Sequence, residues 1–103
     1  MKYENTPFLT DVKILWPDDW YDFELSGICE HNGEKFYFYI VDTDKIEECC
    51  RYAIIDLQPE ILQKEIKSHE LLVQEKGEDW MFHLQGPIID PLNYPIVGWF
   101  KVK

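Results

Sequence analysis

The dipeptide Asn32-Gly33, set between two apolar runs, constrains this chain more than any other feature. A tight two-residue hairpin turn needs positive φ at both central residues, and Asn followed by Gly supplies it at the least steric cost. Before it, residues 22–30 place Phe23, Leu25, Gly27 and Cys29 on one face of a strand. After it, Phe36-Tyr37-Phe38-Tyr39-Ile40-Val41 is an unbroken run of residues that suit a pleated sheet. An antiparallel pair is therefore expected at the centre of the fold.

The remaining segments add to that pair. Residues 8–16 read as a first strand, with Leu9, Val12, Ile14 and Trp16 in partial alternation, and Pro17-Asp18-Asp19 as a break after it. The polar run 42–48 reads as a loop, and residues 51–57 as a fourth strand. Pro59 suits the first position of a helix, where its missing N–H costs nothing. From there Ile61, Leu62, Ile66, His69, Leu72 and Val73 recur at helical spacing, and Gly77 supplies a stop, giving about 17 residues with one apolar stripe. Trp80 to Leu84 returns to strand-like composition. Gly86, Pro87, Pro91 and Pro95 then exclude a regular central strand, and residues 96–102 form the last one. The expected fold is α+β, a single domain over residues 1–103. It has five or six mainly antiparallel strands in a curled, small barrel-like sheet, with one helix packed on it and bends at Gly27 and Gly98.

Charge is distributed unevenly. Residues 1–50 hold twelve acids and four lysines, whereas residues 51–103 hold eight acids and six bases, so most of the net −10 lies in one half. Such a chain argues against nucleic acid or an anionic membrane as a direct partner, because phosphate binding needs clustered Lys and Arg. No apolar stretch approaches the ~20 residues of a membrane span, and the first residues lack the apolar run of a secretion signal. The default location is cytoplasmic. Three cysteines, two of them adjacent, make a poor disulfide framework and fit buried thiols better.

Motifs for chemistry are sparse. His31, His69 and His83 are scattered, with no metal-ligand spacing, although Cys29 and His31 would share a strand face. Glu30, Glu47 and Glu48 beside the cysteines disfavour an activated thiolate. Asp42-Thr43-Asp44 lacks the glycine and acid spacing of a calcium loop. No metal, cofactor or catalytic residue is expected.

What remains is acid interleaved with aromatic side chains. Asp18, Asp19, Asp22 and Glu24 lie among Trp16, Trp20, Tyr21 and Phe23, and a second cluster holds Asp42, Asp44, Glu47 and Glu48. If both clusters share a face, the acids would steer a basic partner, with Trp20 and Tyr21 as anchors. The expected function is a small, non-catalytic interaction protein that blocks a basic functional surface, as a toxin-immunity or anti-defence inhibitor would. Its partner would be a basic protein such as a nuclease or nucleic-acid-binding protein. The alternative is a small-molecule-binding module with Trp16, Trp20, Trp80 and Trp99 lining a pocket. A small enzyme using Asp22, Glu24, His69 or His83 ranks third. An exposed edge strand near residues 8–16 or 96–102 could pair two copies in a homodimer.

Overall fold

A computed structural model describes residues 3–21, 23–76 and 89–102, and for residues 18–21, 23, 72, 75 and 76 it describes the backbone alone. Five strands form one antiparallel sheet in sequence order: β1 (Lys13–Tyr21), β2 (Phe23–His31), β3 (Glu34–Asp44), β4 (Cys49–Ile55) and β5 (Ile96–Val102). One helix, α1 (Pro59–Lys76), lies between β4 and β5 in the chain. The fold is α+β, with a curled sheet that does not close.

The central hairpin forms where the Asn-Gly pair placed it. Asn32 and Gly33 have φ of 53° and 80°, and the β2–β3 ladder runs from His31↔Glu34 to Ser26↔Tyr39. Helix α1 begins at Pro59 and ends at Lys76, and β5 covers the expected residues 96–102. Gly77, the Trp80–Leu84 segment, Gly86 and Pro87 lie outside the described residues.

The expected break at Pro17-Asp18-Asp19 is overturned, because these residues continue β1. β1 is an edge strand, so a proline there need forfeit no ladder bond. Register shifts between Ile14 and Trp16, and again around Asp19, absorb the local mismatch with β2. The first strand also starts later than expected, at Lys13. Upstream, Phe8 makes an isolated parallel bridge to Trp99 on the outer side of β5. Likewise β3 extends through Asp44, which shortens the expected polar loop to residues 45–48.

That bridge explains the curl. In a flat sheet, five inter-strand steps would put Phe8 about 24 Å from β1 across the strands alone. The five residues from Phe8 to Lys13 reach about 17 Å at most. The two edges must therefore bend toward each other.

Curling gives the sheet two different faces. Inside lie Cys29, Phe38, Tyr52, Ile54 and Phe100, covered by Leu9, Val12 and Ile14 from the N-terminal segment and β1. Phe38 meets Tyr52 and Phe100 edge-on at 5.3 and 6.0 Å, while Tyr52 and Phe100 stack at 5.2 Å. Such pairs contribute about 0.5–1.5 kcal/mol each beyond area burial. The other face, with Ile28, Tyr37, Ile55 and Leu57 buried, receives Ile61 and Leu62 of α1. Gly27 and Gly98 both sit where backbone or side chain comes close: a Cβ at Gly27 would lie 2.2 Å from the Trp16 carbonyl oxygen, and one at Gly98 2.8 Å from Leu9 Cδ1.

Candidate functional site

In an antiparallel meander, alternate connections fall at the same end of the sheet. The β1–β2 turn (Tyr21↔Phe23) and the β3–β4 loop (Asp44↔Cys49) are alternate connections. Topology thus carries the backbone of both acidic clusters to one end. Asp18, Asp19, Trp20 and Tyr21 belong to the last half of β1, and Glu24 is the second residue of β2. Asp22 lies outside the described residues, and the side chains of Asp18, Asp19, Trp20 and Tyr21 lie outside the description as well.

The two tips are also tied together through the interior. The Tyr52 hydroxyl on β4 donates to the Glu24 carbonyl oxygen on β2 at 2.7 Å, reaching past β3 across the curl. Burial pushes the Tyr52 hydroxyl pKa up.

The second acid cluster is organised rather than free. Asp44 Oδ1 accepts from the backbone N–H groups of Ile46 (2.9 Å) and Glu47 (3.1 Å), and its other oxygen accepts from Arg51 Nη2 at 3.0 Å. The Glu47 and Ile46 N–H donors, followed by Arg51, hold the Asp44 carboxyl below its ordinary value. Arg51 Nη1 pairs with Asp42 at 3.2 Å, Arg51 Nη2 approaches Glu47 at 3.7 Å, and Lys101 reaches Glu47 at 3.4 Å. Glu48 adopts φ of 56°, the left-handed geometry that turns the chain back into β4. At the tip, Ile46 is 96% exposed.

The expected set therefore divides. Asp42, Asp44 and Glu47 are engaged with Arg51 and Lys101, and Glu48 is exposed and takes a structural backbone role. By contrast, the sequence from Lys13 to Lys35 holds six acids and no base between those two lysines. In sequence, the β1–β2 segment therefore carries the densest run of acids, with Lys13 and Lys35 both opposite Glu30 in the ladder. Arg51, which contacts three of the four acids of the second cluster, was the residue that spacing alone did not select; cross-strand pairing with Asp42 brings it there.

The cysteines are held apart by strand alternation. Cys50 packs toward the interior cluster, and its neighbour Cys49 is buried elsewhere, so the adjacent pair does not form a bridge. Burial pushes the Cys29 thiol up to about 12, and burial followed by the Glu47 charge raises that of Cys49. His31 has no shared site with Cys29: its Nδ1 lies 2.9 Å from Asp11 Oδ1, pinning the N-terminal segment to the central hairpin. Among the described residues, no group of three or more His, Cys, Asp or Glu is arranged to hold a metal.

Trp16 and Trp99, the two tryptophans whose side chains are described, do not share a pocket. Trp16 stacks on His69 of α1, with centroids 4.1 Å apart and planes 3° from parallel. Trp99 packs against Tyr3 and Phe8 at the other edge of the sheet. Trp80 lies outside the described residues. A cleft of about 300 Å³ instead lies between Tyr39 and the segment from Pro91 to Ile96, with Leu92 and Tyr94 on its wall. On the helix stripe, Glu65 is 1% exposed, an acid at a core position that sequence reasoning missed. No helix among the described residues is long and apolar enough to cross a membrane. No protein-family model, curated protein or solved structure matches the chain.

Proposed function

We propose that the chain is a small, non-catalytic interaction protein whose acidic sheet end binds and blocks a basic functional surface of another protein. It would serve as a toxin-immunity or anti-defence type inhibitor. Support comes from one observation above all: the meander brings both acidic connections to the same end of one curled sheet. Complementary charge raises the rate of encounter with a basic partner and disfavours acidic ones. The organised β3–β4 loop lowers the ordering cost of binding, because Asp44 and Arg51 already fix its shape. Within this reading Asp18, Asp19, Asp22 and Glu24 carry the steering charge, while Asp42, Asp44 and Glu47 shape the neighbouring loop.

The test is affinity capture from the source cell's lysate, washed at low and then high salt, with wild type beside the double variant Asp19→Lys, Asp22→Lys. Capture of one basic protein by wild type, released by salt and lost in the variant, supports the proposal. Equal capture by both proteins overturns it. A second reading, a small-molecule-binding module, draws on the cleft beside Tyr39 and Tyr94 rather than on the tryptophans; ligand-induced shifts at those two tyrosines would favour it.

A further inference from the structure

The N-terminal segment occupies the outer edge of β5 while contributing little regular structure of its own. Among the described residues, two backbone bonds attach it there: Leu9 N–H donates to Trp99 O at 2.8 Å, and Trp99 N–H donates to Pro7 O at 3.0 Å. The side-chain fit is far more specific. Leu9 lies over Gly98, its Cδ1 2.8 Å from where a Cβ would stand, so a side chain there must displace Leu9. Trp99 is flanked by Tyr3 at 5.4 Å and Phe8 at 4.6 Å, and Lys101 Nζ stands 5.4 Å from the centre of the Phe8 ring. Leu9 and Val12 also cover the interior cluster. Between this seat and β1 runs a short hinge, Thr10 to Val12, bent at Thr10, whose side-chain tie is the Asp11–His31 pair. No backbone hydrogen bond among the described residues uses the N–H of Thr10 or Asp11.

We infer that residues 3–12 form a releasable strap, and that the seat it fills on β5 is a docking site for the same strap of a second copy. The chain can therefore form a strap-exchanged dimer. A sheet edge bearing a side-chain-specific seat recruits whichever segment matches it, and the segment that matches best is this chain's own. In exchange every contact of Tyr3, Phe8 and Leu9 is kept, and only the hinge changes shape. The linker sets which copy wins. A short bent hinge holds the strap at high local concentration over its own β5, so the closed monomer dominates when the protein is dilute.

Three measurements decide the matter. First, wild type is refolded from urea at micromolar and at millimolar concentration, and its mass is read by light scattering. A species of twice 12.4 kDa is expected only from the concentrated sample, and monomer from both overturns the inference. Second, the variant Thr10→Pro, Asp11→Pro straightens the hinge so that the strap cannot return to its own seat; it should be dimeric even when dilute, and a folded monomer overturns the inference. Third, adding Gly98→Val to that variant fills the seat and should abolish the dimer, whereas a surviving dimer places the contact elsewhere and also overturns it. Should the hinge variant fail to fold, chemical cross-linking of the refolded wild-type dimer decides. Mixed isotope-labelled copies must cross-link from strap to β5 between chains, and cross-links within one chain alone overturn the inference.

Discussion

Replacing Gly27 with alanine should damage this fold more than the same change at Gly33 or Gly98. The new Cβ would sit 2.2 Å from the Trp16 carbonyl oxygen and 2.6 Å from Pro17 Cα, both backbone atoms that no rotamer change can move away. Ordinary contact begins near 3.4 Å, so β1 must retreat by more than an ångström. It is the edge strand on that side and already pairs irregularly here, with shifts on either side of Trp16-Pro17. Retreat would break two or three ladder bonds, each contributing about 1 kcal/mol net. The loss is then about 3 kcal/mol, the upper end of what overpacking costs. For a domain of this size that corresponds to a fall in Tm of roughly 12–24 °C. Urea and thermal melts followed by far-UV circular dichroism would measure it, with Gly33→Ala as the control. Gly33 has positive φ but nothing within 4 Å of its Cβ direction, so its cost is about 1 kcal/mol of backbone strain alone. Equal losses in the two variants would refute the close approach of β1 to β2.

Three further outcomes follow from the same geometry. Tyr52→Phe removes the 2.7 Å bond to the Glu24 carbonyl and should cost about 1 kcal/mol in urea melts, with loosened hydrogen exchange at the start of β2. Asp44→Ala tests the loop: because the folded state holds this carboxyl below its ordinary value, its stabilising effect is present above the usual carboxylate range and lost as pH falls through the folded value. Wild type should therefore have the higher urea midpoint at pH 7, and the two curves should converge in acid; parallel curves would count against the assigned donors. For the thiols, mass spectrometry after alkylation at pH 8 should find Cys50 modified first and Cys29 last. With its thiol pushed up to about 12, Cys29 carries thiolate in roughly one molecule in 10⁴ at that pH, and full labelling should require unfolding.

Some of this architecture was plain in the residues and some was not, for separable physical reasons. Asn32-Gly33, Pro59 and the alternation of residues 96–102 act locally, through φ preference, a missing N–H and the two-residue period of a strand, so each marked its element directly. Pro17 misled because a proline's meaning depends on whether its strand is an edge, which is a property of the whole sheet. The ion pairs of Arg51 with Asp42 and Asp44 span nine and seven residues and exist only once β3 and β4 are in register. Glu65 falls four residues after Ile61 and four before His69, so helical spacing alone would have put it on the buried stripe; its acidic type argued for solvent, and the fold followed the spacing. The shared end of the two acidic connections was reachable only through strand order.

The two margins of the sheet differ in a way that bears on how the protein survives at high concentration. An open antiparallel sheet is a template for indefinite growth, because any unpaired margin can recruit another chain. Here β1 offers a poor template: a proline with no N–H to donate, broken register and neighbouring carboxylates interrupt any incoming strand. The opposite margin is occupied by the chain's own first residues at Trp99. A molecule built this way can lend its strap to a copy of itself and accept one in return, and a reciprocal exchange fills both seats. On the β1 side, Pro17 supplies no N–H to a docking strand, which disfavours lateral growth from that margin.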